Sequence, residues 1–420
     1  LYPFNLPWRF TEIINGDQGA ILGADGARSP VKRTVSAARM AARRKELNRA
    51  PVSVLMNALV RSSSLLRLVD QLIRGRPHYV VSFDDGGLLV ILAIDEETRL
   101  LTKAEFLEDD PIYGDVENEL FFDDWRQVGK LKLPFELTYR VNGHVVMLEH
   151  LDSVENDVDF SSVDFSVPEE LSHVDTEDDR RGRYSSQWLW RRMALASPLD
   201  EEQTRVDLTE VAKGVFQVTG GTHHSLAIEM ADHLVVVDAP LYEERSQAVL
   251  IALAKKWPGK PVRFLISTHF HNDHTGGVRA YIAAGATVVA GRINETFFKQ
   301  LASAPHTRVP DSLQKNPKPL ALETVETDKK VLTDGNRVVE VYPLENSHAE
   351  GMLVVHLPKE KLLFVTDVFS PGAPRQMPLW SRQLLEGVQK NGLQVERIVG
   401  GHGNKVATLA ELRQAASSTP

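Results

Sequence analysis

Cysteine is absent from all 420 residues. Disulfides, thiolate metal ligands and a cysteine nucleophile are therefore excluded, and any metal or catalytic centre has to be assembled from His, Asp and Glu. A membrane-spanning run is also lacking. The longest apolar stretch, Leu88-Leu89-Val90-Ile91-Leu92-Ala93-Ile94, has the length of a strand, far short of the roughly 20 residues a transmembrane helix needs. There is no basic excess: 48 Lys and Arg stand against 57 Asp and Glu, a net charge of −9 with the signs interspersed. That is no electrostatic footprint for nucleic acid, so a small-molecule substrate is the expected partner. A starting methionine is missing as well. Opening at Leu1 is what removal of an N-terminal segment would leave, and export to the periplasm or outside the cell is expected ahead of a cytoplasmic location. Nothing in the sequence reports on oligomeric state.

The length predicts two domains. Residues 1–170 read as a helical segment followed by an antiparallel β domain. Helical spacing of apolar residues covers Val52 to Ile73, and the alanine-rich basic run Arg39 to Leu47 reads as a solvated helix face. From Tyr79 the period changes to two. Strands are predicted at 79–83, 88–94, 100–107, 117–122, 135–140 and 145–151, with Asn142-Gly143 as a hairpin turn. Residues 171–205 have linker composition and include Trp188-Leu189-Trp190. Residues 206–420 alternate strand and helix patterns, as an α/β layered domain does.

Within that second domain, Phe264-Leu265-Ile266 leads into Ser267-Thr268-His269-Phe270-His271-Asn272-Asp273-His274-Thr275-Gly276-Gly277. Along an extended segment alternate side chains share a face, so His269 and His271 can grip one cation. Asp273 and His274 fall where the chain has to turn, and can address a second cation nearby. Imidazole and carboxylate together suit zinc, and also iron or manganese. Three later apolar strands each end on another such residue: His348 after Val338–Pro343, Asp367 after Leu362–Val365, and His402 after Arg397–Gly400. In open α/β sheets, binding groups collect at strand ends.

His269-x-His271-x-Asp273-His274 resembles the hallmark of the metallo-β-lactamase superfamily, and the later residues follow in that family's order. The resemblance implies an αββα sandwich (α+β or α/β in class) with a two-metal site at one edge. It also implies a ligand set: His269, His271 and His348 for one ion, Asp273, His274 and His402 for the other, and Asp367 bridging them. Two zinc ions per chain, with iron or manganese as substitutes, and a metal-bridging hydroxide acting on a polarised centre are its chemical consequence. Asp273 is then both ligand and candidate catalytic residue. Asp238 is expected to order the loops beneath the site. His223 and His224, and His306 and Arg308 in the segment Pro305–Asp311, are candidates for substrate contact. The loop Phe369–Pro374 and Trp380 are candidates for an apolar wall. In the first domain, Tyr113-Gly114-Asp115, Phe122-Asp123-Asp124-Trp125 and Lys132-Leu133-Pro134 resemble a β-rich domain that precedes some members.

A bridging aspartate at 367 is the pattern of glyoxalase II-type thioesterases, lactonases and phosphodiesterases, rather than of the typical β-lactamases. The expected reaction is hydrolysis of an ester, lactone or thioester. The alternatives are β-lactamase, phosphodiesterase or sulfatase activity on the same site, a one-iron persulfide dioxygenase, and a non-catalytic binding protein stabilised by metal.

Overall fold

The computed structural model describes residues 8–25, 32–173, 204–373, 376–403 and 405–418. The expected linker at 171–205, Trp188-Leu189-Trp190 with it, falls almost entirely outside the described residues, as does Pro374. The chain forms two compact units: Leu1–Asp110 with Asp115–Glu201, and Pro111–Gly114 with Glu202–Pro420.

The first unit corrects the expectation of a mostly helical start. Trp8–Asn15, Gln18–Asp25 and Lys32–Thr34 form a three-stranded sheet. Its hairpin pairs Asn15 with Gln18, leaving Gly16-Asp17 as a two-residue loop with Gly16 at φ 58°, the left-handed conformation such tight loops require. Among the described residues the α-helices of this unit are Ala37–Asn48 and Pro51–Val60. The second ends well before Ile73, because Leu66–Arg67 and Gln71–Ile73 pair with Arg76–Asp84. The six strands predicted from period two are all present, within an eight-stranded sheet. Asn142-Gly143 turns between paired Val141 and His144. Val54 and Ala58, four apart on one helix face, pack with Phe83, Leu92, Phe106, Leu120, Phe122 and Tyr139.

The second unit has the layered αββα architecture. One sheet holds seven strands, from Asp207–Ala212 to Leu322–Val325, and the other five, from Lys330–Thr333 to Arg397–Gly400. Leu226, Val235, Val237 and Ile266 of the first sheet meet Val341, Val355, Phe364 and Val399 of the second in one apolar core. On the outer face of the seven-stranded sheet, Val249, Leu253, Val278, Tyr281, Ile282, Phe298 and Leu301 bring helices Glu243–Lys256, Val278–Ala284 and Glu295–Ser303 against Val236, Leu265 and Val288. Trp380, Leu384, Val388, Leu412 and Ala415 do the same for helices Pro378–Lys390 and Leu409–Ser417 on the five-stranded sheet. Strands Leu234–Val237, Val262–Ile266 and Thr287–Gly291 run parallel, as do Leu362–Val365 and Arg397–Gly400. Parallel strands end at a common edge, and both sheets bring their metal-binding sequence motifs to that edge.

The first unit also buries charge. Arg39 Nε donates to Glu12 at 2.6 Å and Arg43 Nε at 2.7 Å, and the Glu12 side chain is 8% exposed. Burial alone would raise its carboxyl, but the two guanidiniums outweigh it and lower it from 4.5 to about 2. A depressed carboxylate stabilises the fold above its unfolded pKa and loses that contribution as pH falls through the folded value. The shift corresponds to about 3 kcal/mol, present above pH 4.5 and lost on the way to about pH 2. Glu12→Gln is expected to lower stability by about that amount at pH 7 and to flatten the acid limb of a pH-resolved unfolding curve; an unchanged limb assigns the acid sensitivity elsewhere.

Candidate metal centre

The strand Val262–Ile266 delivers Ser267 to His271 to the edge of its sheet, and the chain then makes a single helical turn, Asn272–Thr275. The turn rotates Asp273 and His274 away from the extended pair His269 and His271. Two glycines follow because the backbone packs too tightly for side chains. A Cβ on Gly276 would meet the Leu241 carbonyl at 1.8 Å, and one on Gly277 would meet Ser246 Oγ at 1.9 Å.

Beneath this turn lies Asp238, fully buried. Its Oδ1 accepts from Thr268 N at 2.7 Å, and its Oδ2 accepts from Thr268 Oγ1 at 2.9 Å and from His274 Nδ1 at 3.0 Å. Its backbone sits at φ 62°, sparsely populated for a residue with a side chain and kept only where the surroundings over-determine it. With Nδ1–H committed to Asp238, His274 presents Nε2 to the centre. The expectation that Asp238 orders the loops fits this geometry. Thr268, its partner, was not singled out in the sequence, although it stands at the strand end directly before His269.

The side chains gather in two overlapping groups. His269, His271 and His348 form one; His223, Asp273, His274 and His402 form the other, with the ligand atoms of each group within 4.8 Å of one another. Asp367 lies between them. Its Oδ2 is 3.0 Å from His274 Nε2, 3.5 Å from His269 Nε2 and 3.8 Å from His348 Nε2, while Oδ1 is 3.2 Å from His402 Nε2. His274 Nε2 and His402 Nε2 are 3.1 Å apart. All seven residues of the sequence-derived ligand set therefore converge, four from one sheet edge and three from the other.

The electrostatics are those of a centre built for cations. Burial would lower His274, but Asp367, Asp273 and Asp238 outweigh it and push it well above the ordinary histidine range. Burial and the neighbouring His274 press His269 well below that range. Burial would raise Asp367 and Asp273, yet the imidazoles around each hold them well below the carboxylate range. Nε2 of His269 and of His348 and Oδ2 of Asp367 are buried without a hydrogen bond of good geometry. Orphaned nitrogens and a carboxylate oxygen aimed at common points, with no competing thiolate, fit divalent ions of the zinc, iron or manganese kind.

The sequence model of the metallo-beta-lactamase superfamily matches residues 174–402, more than half of the chain. The chain belongs to this superfamily, a family of hydrolases. A type 2 metallo-beta-lactamase of Elizabethkingia meningoseptica is 25% identical over 177 residues, 40% of this chain and 64% of that protein. The 2,4-dinitroanisole O-demethylase subunit alpha of Nocardioides sp. (strain JS1661) is 27% identical over 201 residues, 46% of this chain and 57% of that protein. A linear primary-alkylsulfatase of Pseudomonas sp. is 37% identical over 106 residues, 25% of this chain and 14% of that protein. The chain thus spans less than two thirds of the length of each of these relatives.

The candidate substrate residues of this metallo-beta-lactamase superfamily member divide. His223 lies in the metal centre, with Nε2 3.2 Å from Asp273 Oδ2. His224 is turned away: its Nε2 donates to the Gly403 carbonyl at 2.7 Å, and burial lowers it to about 4. It clamps the His402 loop, as does its backbone N–H on the Gly401 carbonyl. His306 is buried 3.9 Å from Asp311, which pairs with Arg279, outside both ligand groups, and Arg308 is exposed. Trp380 does flank the centre, its ring 4.7 Å from that of His348, whereas Phe369 is buried in the core beneath. Phe270, half-buried, stands 4.9 Å from His271 on the other side.

Because Asp238 fixes a ligand tautomer without itself belonging to either ligand group, Asp238→Ala is expected to weaken metal retention about 10- to 100-fold, read by competition with a chelator. Retention equal to that of the unaltered chain sinks this role.

Proposed function

We propose that the chain is a two-ion hydrolase acting on an ester, thioester or lactone, with zinc as the first choice of metal and iron or manganese as substitutes. The observation that carries this reading is Asp367, whose carboxylate faces imidazoles of both ligand groups. One carboxylate shared by the two ligand groups is what a pair of neighbouring ions would need. When bound, such ions supply Lewis acidity and lower the pKa of water at the centre.

The protein's own part is positional. Asp238 and Thr268 hold His274 and the start of the metal loop. Asp273, on its one-turn helix, brings a carboxylate to the edge of the second group, where it can orient a nucleophilic water or receive its proton. Phe270 and Trp380 give the first group apolar flanks, which suit the hydrocarbon of an acyl substrate and keep bulk water from the reacting carbonyl. No serine or cysteine nucleophile is required.

A second reading, cleavage of a sulfate or phosphate ester at the same centre, is favoured by the 37% identity to a linear primary-alkylsulfatase over 106 residues. One assay series separates the readings. The zinc-loaded chain is offered lactones, thioesters, phosphodiesters, sulfate esters and a chromogenic cephalosporin, with metal content measured on the same preparation. Carboxylic substrates are expected to turn over fastest. Asp273→Ala is expected to lose at least 100-fold in kcat with its circular dichroism unchanged, the range of a general acid–base group, and unchanged turnover in that variant removes the mechanism. A chain that holds one iron and consumes oxygen is a dioxygenase, not a hydrolase.

A further inference from the structure

We infer that His223 is a ligand of the second ion, making that position five-coordinate in protein donors alone, while the first remains open to substrate. This rests on the two-ion reading above. His223 comes from the loop between strands Val215–Thr219 and Ser225–Glu229, outside the ligand set that the sequence motifs supply.

The geometry is specific. His223 Nε2, Asp273 Oδ2, His274 Nε2 and His402 Nε2 converge on one volume. The His223 ring lies 4.5 Å from that of His402 and 5.6 Å from that of His274. His223 Nδ1 stands 2.8 Å from Thr222 Oγ1. With Nδ1–H donated to that hydroxyl, Nε2 carries its lone pair toward the centre. The Thr222 carbonyl in turn accepts from His402 Nδ1 at 3.4 Å, so the same dipeptide orients one ligand and contributes another. With Nδ1–H of His274 on Asp238, its Nε2 faces His402 Nε2 at 3.1 Å and Asp367 Oδ2 at 3.0 Å. Imidazole nitrogens and carboxylate oxygens that converge on one volume are arranged for a cation.

The donor count is then unequal. The first position draws on His269, His271, His348 and Asp367; the second on His223, Asp273, His274, His402 and Asp367. The position with five protein donors is the more crowded, and the four-donor position is the one that can add a substrate oxygen by expanding to five-coordinate. The second ion is the tightly held one, and the first, between Phe270 and Trp380, is the one the substrate meets.

The test is stepwise cobalt titration of the metal-stripped chain, followed by visible spectroscopy and chelator competition, together with a crystal structure of the zinc-loaded chain. Two ions of unequal affinity are expected in the unaltered chain. His223→Ala is expected to weaken the tighter step at least tenfold and to change its ligand-field band, leaving the weaker step as it was. His223→Gln, which keeps a donor for Asp273 but offers no imidazole, is expected to behave like His223→Ala. In the crystal, His223 Nε2 is expected at about 2.0–2.1 Å from the second zinc. If His223→Gln binds as tightly as the unaltered chain, or if the nitrogen stands outside coordination distance of the zinc, His223 only orients Asp273 and the inference falls while the two-ion reading stands. An unaltered chain that takes up fewer than two ions overturns both. The crystal measurement needs no variant, so a substitution that fails to fold does not protect the inference.

Discussion

The buried carboxylate of Asp238 is the contact on which the rest of the centre depends. In one residue it satisfies a backbone N–H, a hydroxyl and an imidazole N–H, all without access to water. A buried charge is tolerated only when its lone pairs are filled in this way. Filling them ties the end of Leu234–Val237 to the end of Val262–Ile266, and sets the tautomer of a ring that faces the candidate centre. The left-handed backbone at Asp238 is held by the same contacts.

From that clasp the centre grows outward by the logic of strand ends. Parallel pairing brings the ends of neighbouring strands to one edge, and each edge residue is free of the ladder and available for chemistry. Gly276 and Gly277 let the loop return against Leu241 and Ser246 without a side chain between. The second sheet supplies His348, Asp367 and His402 from three separate loops, so their convergence depends on how the two sheets pack through Ile266, Val355, Phe364 and Val399.

Much of this was legible in the sequence. The metal loop announces itself, since four ligands within six positions have few other uses, and the late residues each follow an apolar strand of unmistakable length. The hairpin at Asn142-Gly143 was equally plain. Other features were harder to read. The tight turn at Gly16-Asp17 carries a similar signal; the alanine-rich run after it is helical as expected, while the strands before it form because Ile21, Val35 and the helix residue Met40 make a small core of their own. Leu65, Leu68 and Leu72 have spacing close to a helix, yet their neighbours pair with Arg76–Asp84. His306 and Arg308 read as candidates for substrate contact, but nothing in the residue types shows that His306 is buried beside Asp311. His223 reads as a candidate for substrate contact, but nothing in a linear sequence shows that its ring reaches Asp273, fifty positions later.

The division of the ligands between two sheets has a thermodynamic side. An ion held at that edge would join strands that already meet through apolar packing and through bonds such as Leu353 N–H to the Thr268 carbonyl at 2.7 Å, and an unfolded chain has no preformed site to offer it. Metal occupancy then enters the folding equilibrium of the second unit directly, adding stability as the logarithm of free metal over its dissociation constant. With metal held as proposed, a cell that starved this protein of it would take away the reactive centre and, in the same act, loosen the seam between the two sheets.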